Sequence, residues 1–142
     1  PPRAINQPII GRDAFAGLAF FGSYIGLATL ALFHLNLEHD YALANTVAFT
    51  AMVLLANIHA LNFRSLDAPA STLGWFSNPL LLAAMAVMAG LQLCAIYTPA
   101  LQDALNTVPL RPQDWAAILA ASLPLYAGTE IYKTIRYRRK NP

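Results

Sequence analysis

Few side chains in this sequence could do chemistry, and their spacing limits what they could do. The histidines are His34, His39 and His59. His34, Glu38, His39 and Asp40 sit close together along the chain. They offer nitrogen and oxygen to a metal but lack the ligand spacing of a zinc site, so they read as a solvated loop. A haem held between two histidines needs both at one depth. At 1.5 Å of rise per residue, His34 and His59 fall roughly 20 Å apart in depth, which argues against haem. Glu130 lies three residues before Lys133 on one helical face; it reads as a snorkelling or paired acid before it reads as a proton relay. Cys94 is the single cysteine, so no internal disulfide forms. The sequence has no GxxxxGK[ST] phosphate loop, no HExxH and no GxSxG. The expectation is therefore no catalytic residue, no metal site, no cofactor and no enzyme activity from this chain alone.

The elements that must position these residues follow from composition. Hydrophobic residues make up 57% of the 142 and charged residues only 11%, against about 25% charged in an ordinary soluble domain. Mean hydropathy is +0.46. A water-soluble enzyme of this size lacks the charge to cover its surface, and a net charge of +2 is too small for a nucleic-acid partner.

Four apolar stretches are each long enough to cross a hydrocarbon core, which takes about 20 helical residues. They run over Ala14–Leu35, Tyr41–Phe63, Pro79–Tyr97 and Trp115–Tyr132. Helices are required, because an open strand in lipid leaves its backbone unpaired. Stretches such as Leu80–Met88, LLLAAMAVM, are apolar all round and lack the polar stripe of a soluble bundle. The first stretch is too long for a cleaved signal peptide and has no small-residue cleavage site behind it. The fold class expected is an all-α, integral membrane four-helix bundle in a single domain over residues 1–142. The connections carry breakers: Pro69 and Gly74 in the second, and Pro99, Pro109 and Pro112 in the third.

Basic residues set the orientation. Arg3, Arg12, Arg64, Lys133, Arg136, Arg138, Arg139 and Lys140 fall on one side, and Arg111 alone on the other. Both termini are expected to be cytoplasmic, in a cell membrane such as a bacterial inner membrane. The tail from Lys133 through Arg136, Arg138 and Arg139 to Lys140 is expected to rest on anionic lipid headgroups. Tyr41, Tyr97 and Trp115 mark the opposite boundary as interfacial aromatics.

Polar groups inside the spans are candidate sites by default. Asn57, His59 and Asn62 stand near one end of the second span. Asn57 and His59 lie about 200° apart on a helix and cannot serve one site, whereas His59 and Asn62 share a face. Interhelical hydrogen bonding is the plain reading and an ion-site remnant the sharper one. Gly22 and Gly26 form a GxxxG pair in the first span, with Gly17 further back. Together they are read as a smooth groove for another helix.

The order of these features resembles the C-terminal membrane domain of P-type cation-transporting ATPases, the calcium- and sodium-pump branch. The resemblance rests on Pro1-Pro2-Arg3 and Pro8-Ile9-Ile10 before the first span, and on Thr46-Val47-Ala48-Phe49-Thr50 and Ala60-Leu61-Asn62-Phe63-Arg64-Ser65 in the second. It continues through Phe76-Ser77-Asn78-Pro79, Ile96-Tyr97-Thr98-Pro99-Ala100-Leu101-Gln102, Thr107-Val108-Pro109-Leu110, Asp114-Trp115 and Glu130-Ile131-Tyr132-Lys133. It implies that the four spans are the last four of a pump. The phosphorylated aspartate and nucleotide site of that family lie upstream of this region. The resemblance also puts Ala56 where the eighth helix can add an ion ligand, and His59 where the family often has Asn or Asp. Gly22 and Gly26 then correspond to the surface on which the seventh helix packs against the fifth. The implied role is a structural, non-catalytic domain that braces or docks other transmembrane helices. The alternative is a free-standing accessory subunit of an unrelated membrane complex.

Overall fold

The computed structural model describes residues 12–63 and 78–140, with side-chain surroundings for 15–60 and 78–135. Every regular element among the described residues is a helix: α1 (Arg12–Leu37), α2 (Tyr41–Phe63), α3 (Pro79–Tyr97), α4 (Pro99–Leu105) and α5 (Pro112–Lys140). Helix α2 is central and packs on α1, α3 and α5, while α1 also touches α5. Helices α1, α2 and α3 are long and apolar enough to cross a membrane. The expected fourth span does not meet that measure of length and composition. Helix α5 covers the stretch in a longer run, and Gln113, Asp114, Ser122, Pro124, Thr129 and Glu130 dilute its apolar content. The N-terminal eleven residues, the connection 64–77 with Trp75, and the last two residues lie outside the described residues.

The boundaries have local causes. Asn78 caps α3, its side-chain oxygen accepting from the Leu81 N–H at 3.0 Å, and Pro79 follows at the first helical position. Asp40 does the same work for α2 through the Ala42 N–H at 3.0 Å. At α5 the arrangement is reciprocal. Asp114 Oδ2 accepts from the backbone N–H of Arg111 at 2.8 Å, while the Arg111 carbonyl accepts from the Asp114 N–H at 3.0 Å. The guanidinium adds bonds to both carboxylate oxygens at 3.0 Å.

The core is built from Leu32, Leu43, Val47, Ala51, Ile96, Leu110 and Ile118. It lies toward the Tyr41–Tyr97–Trp115 end, where the segment after α4 folds back over the helices. Its hydrogen bonds run through α2. Thr46 and Thr50 are fully buried and stand one turn apart. Thr46 Oγ1 donates to the Ala42 carbonyl at 2.8 Å and accepts the Val108 N–H at 3.0 Å. Thr50 Oγ1 donates to the Thr46 carbonyl at 2.8 Å and accepts from Gln92 Nε2 of α3 at 2.9 Å. Thr107 Oγ1 donates to the Ala95 carbonyl at 2.6 Å, and Gln102 Nε2 donates to the Ile96 carbonyl.

Helix α5 contains Pro124, which donates no N–H and whose ring crowds the turn before it. Two other carbonyls of that turn take side-chain donors. The Ala121 carbonyl accepts from Tyr24 Oη of α1 at 2.8 Å, and Ser122 Oγ donates to the Leu119 carbonyl at 2.7 Å.

Two measurements check this frame. Thr46→Val removes the acceptor of the Val108 N–H and is expected to cost about 1 kcal/mol. Gln92→Leu removes one interhelical bond worth about 0.6 kcal/mol in a membrane. Thermal unfolding in detergent should rank Thr46→Val as the more damaging. The Arg111 hydrogen bonds hold the Asp114 carboxyl below the usual carboxylate range. A depressed acid contributes stability that is present above its unfolded value, about 3.9, and lost as pH falls through the lower folded value. Asp114→Asn should therefore lower stability at neutral pH and shrink the difference from wild type in acid, read from unfolding midpoints across pH.

Candidate functional site

The three candidate groove glycines do not form one surface. At 3.6 residues per turn, Gly17 lies about 140° from Gly22 and about 180° from Gly26. The structure divides them accordingly. Gly17 is half-buried and lines a crevice of about 490 Å³ between α1 and α5, with Ala16, Phe20, Phe21, Gly128 and Tyr132. Gly22 and Gly26 are exposed on the opposite side of α1, and a Cβ built on either meets nothing within 4 Å.

Two more small residues join that outward face. Ala19 and Ser23 are exposed and stand with Gly22 and Gly26 in an i, i+3, i+4, i+7 row. The face is therefore Ala19, Gly22, Ser23 and Gly26. Phe15 and Leu30, four residues beyond each end, are 64% and 62% exposed. They bound the smooth stretch as two ridges. A search for GxxxG alone misses Ala19 and Ser23; helical periodicity of small residues of any type finds them. Backbones can approach closely over such a row, and dispersion contact then drives association in lipid.

On the opposite side of α1, Phe21 faces α2 and α5. Its ring lies 5.7 Å from that of His59 on α2 and 6.4 Å from that of Tyr132 on α5. Gly128 of α5 faces it; a Cβ at 128 would stand 3.9 Å from Phe21 Cε1, an ordinary contact. Lys133 is also here. It is only 7% exposed. It therefore departs from the expected headgroup-facing tail: one residue beyond Tyr132, it turns into the packed end of α5. The side chains of Arg136, Arg138, Arg139 and Lys140 lie outside the described residues, as does that of Asn62.

The intramembrane polar residues separate as their spacing requires. His59 belongs to the Phe21 junction. Asn57 lines a second crevice, of about 180 Å³, with Thr50, Val53, Leu54, Gln92 and Trp115. The structure does not bring Asn57 and His59 together. Ala56 is exposed and carries no ligand atom. No group of three or more His, Cys, Asp or Glu capable of holding a metal occurs among the described residues.

These observations define a class: an all-helical, membrane-embedded domain with a polar frame inside and a small-residue helix face outside. The sequence then places it in a family. Residues 1–135 match the model of the cation transporting ATPase C-terminus, and the chain belongs to that family. It is 35% identical over 92 residues to an endoplasmic reticulum-type calcium-transporting ATPase of Arabidopsis thaliana, covering 65% of this chain and 9% of that protein. It is 32% identical over 125 residues to a calcium-transporting ATPase of Bacillus subtilis, covering 85% of this chain and 14% of that one. A calcium-transporting ATPase of Saccharomyces cerevisiae is 27% identical over 144 residues, which covers 99% of this chain and 15% of the yeast protein. The chain thus spans a small fraction of the length of these relatives.

The Phe21 junction makes a prediction. Gly128→Ala places a methyl group at ordinary contact distance and should be nearly neutral. Gly128→Leu overfills the junction and should destabilise by about 1–3 kcal/mol. A thermal-shift series across Gly, Ala and Leu reads the difference.

Proposed function

We propose that this chain is a structural, non-catalytic bracing domain for other transmembrane helices, held in a cell membrane as four spans with both termini cytoplasmic. Its family supports the first part, since the domain type occurs at the end of cation-transporting ATPases. The outward row Ala19, Gly22, Ser23 and Gly26 carries the rest. A folded bundle that used these residues internally would bury them, and this one exposes all four. The partner is a transmembrane helix with its own close-approach surface, as in the rest of a cation pump.

Four spans are favoured because α5 packs on α2 and α1. Its Pro124, Ser122 and Thr129 are all accommodated by bonds within the bundle or its own turns: Thr129 Oγ1, for example, donates to the Leu125 carbonyl at 2.9 Å. The cytoplasmic assignment of both termini rests on eight basic residues against Arg111. Anionic lipid under Arg136–Lys140 belongs to the same reading.

Gly22→Leu tests the docking face. The substitution projects into open space, so the unfolding temperature of the chain should hold or rise, a helical glycine costing about 1 kcal/mol relative to alanine. Native mass spectrometry of the protein extracted from its own membrane should show additional transmembrane helices bound to wild type and lost from Gly22→Leu. Equal retention by both would overturn the docking role. The purified chain should hydrolyse no ATP above background; turnover would overturn the non-catalytic reading.

A further inference from the structure

Helix α4 is a separate surface from the docking face. Thr98 ends α3 and begins α4 with an extended backbone, φ −95° and ψ 118°, so the axis breaks there. Asn106 ends α4 in the left-handed region, at φ 52° and ψ 46°, and turns the chain back. The returning segment is fastened at two points, Thr107 to the Ala95 carbonyl and Val108 to Thr46. Gln102, in the middle of α4, is bonded to the Ile96 carbonyl. These three attachments fix the roll of α4 about its own axis.

That roll has a consequence for the remaining side chains. Leu101 and Leu105 lie about 40° apart around the helix, and Asp103 about 160–200° from both. Leu101 is 39% exposed and Leu105 47% exposed, and Asp103 is exposed as well. A seven-residue helix thus shows apolar side chains on one side and a carboxylate on the other. Its depth is marked by its neighbours. Trp115 Nε1 donates to Tyr97 Oη at 3.0 Å, and Tyr97 Oη donates to the Leu110 carbonyl at 3.2 Å. Paired aromatics with their polar ends engaged are what membrane interfaces select. Leu93, one turn before Tyr97 on the same side of α3, is 47% exposed.

We propose that α4 is an interfacial foot: Leu101 and Leu105 enter the lipid leaflet at the Tyr97–Trp115 level, and Asp103 faces water. The occupant of this apolar face is lipid, because α4 follows α3 directly after Tyr97 and Thr98, at the level marked by the Tyr97–Trp115 pair, and because amphipathic helices lie in that plane. The foot sets the depth of α3, and Gln102 couples the two.

The test uses the protein reconstituted in vesicles of phosphatidylcholine and phosphatidylglycerol, with Cys94→Ser as background. Leu105→Cys and Asp103→Cys are each labelled with an environment-sensitive fluorophore, and Leu101→Cys provides a second apolar position. Lipids spin-labelled just below the headgroup quench from the bilayer, and iodide on both sides of the membrane quenches from water. At Leu105 and Leu101, lipid quenching should exceed that at Asp103 by about twofold or more, and iodide should show the reverse order. Equal iodide quenching at all three positions would overturn the foot in favour of a water-exposed helix. Protection of Leu101 and Leu105 from both quenchers would overturn it in favour of contact with another protein.

Discussion

Two threonine hydroxyls hold most of this domain in register. In lipid a polar group has no water to return to, so every donor and acceptor off the helix ladder must be met inside the protein. Thr46 and Thr50 meet this condition with both sides of the hydroxyl. Each donates to a carbonyl one turn back on α2 and accepts from another element, the Val108 N–H or the Gln92 amide. The donation fixes the hydroxyl rotor, and the fixed lone pair is then aimed at a neighbour. Helix α3 and the returning segment after α4 are thereby attached to the same face of α2. The remaining bonds, Gln102 to Ile96 and Thr107 to Ala95, close the carbonyls that the end of α3 would otherwise leave open.

This frame occupies one end of the molecule, and the other end works by different means. Around Phe21 the contacts are aromatic and aliphatic, with His59, Tyr132 and Gly128 as walls. Lys133 reaches into that end although the basic run Arg136–Lys140 begins three residues on. A long stem lets an ammonium group pack along apolar surface, and sequence position alone does not say on which side the stem falls. Burial of Lys133 and exposure of Ala56 both depend on how α5 and α2 are rolled in the bundle, which local pattern does not specify.

The legible and illegible parts of the fold divide on the same principle. Helices α2 and α3 begin and end at the expected residues, because Asp40, Asn78-Pro79 and the apolar runs behind them are strong local signals. Helix α1 starts at Arg12 and ends at Leu37, wider by two residues at each end than its apolar stretch, since helix geometry tolerates polar ends that hydropathy does not count. Helix α5 extends from Pro112 to Lys140 for the same reason. Helix α4 is invisible to periodicity: seven residues hold two turns, and Pro99 reads as punctuation when it is in fact the first helical residue. Gly17 shares the small size of Gly22 and Gly26 but not their face, since residue spacing turns it about 140–180° away from them. The separation of Asn57 from His59, by contrast, followed from angle alone and holds in three dimensions.

Exposure means something different here than it does for a soluble protein. Leu27, Leu80 and Leu123 are all more than 60% exposed, and none of them asks for a partner, because a lipid tail is as apolar as leucine. Large apolar side chains on the outside of such a bundle are solvated. Small residues on the outside are a different matter. A glycine facing lipid gives up side-chain contact with the acyl chains and gains nothing from the helix, where it is a poor former. Ala19, Gly22, Ser23 and Gly26 do this together on one face between Phe15 and Leu30, while Gly128 lies against Phe21 inside the protein. This row presents a close-approach surface to the membrane, which is why the outward face of α1 carries the functional reading.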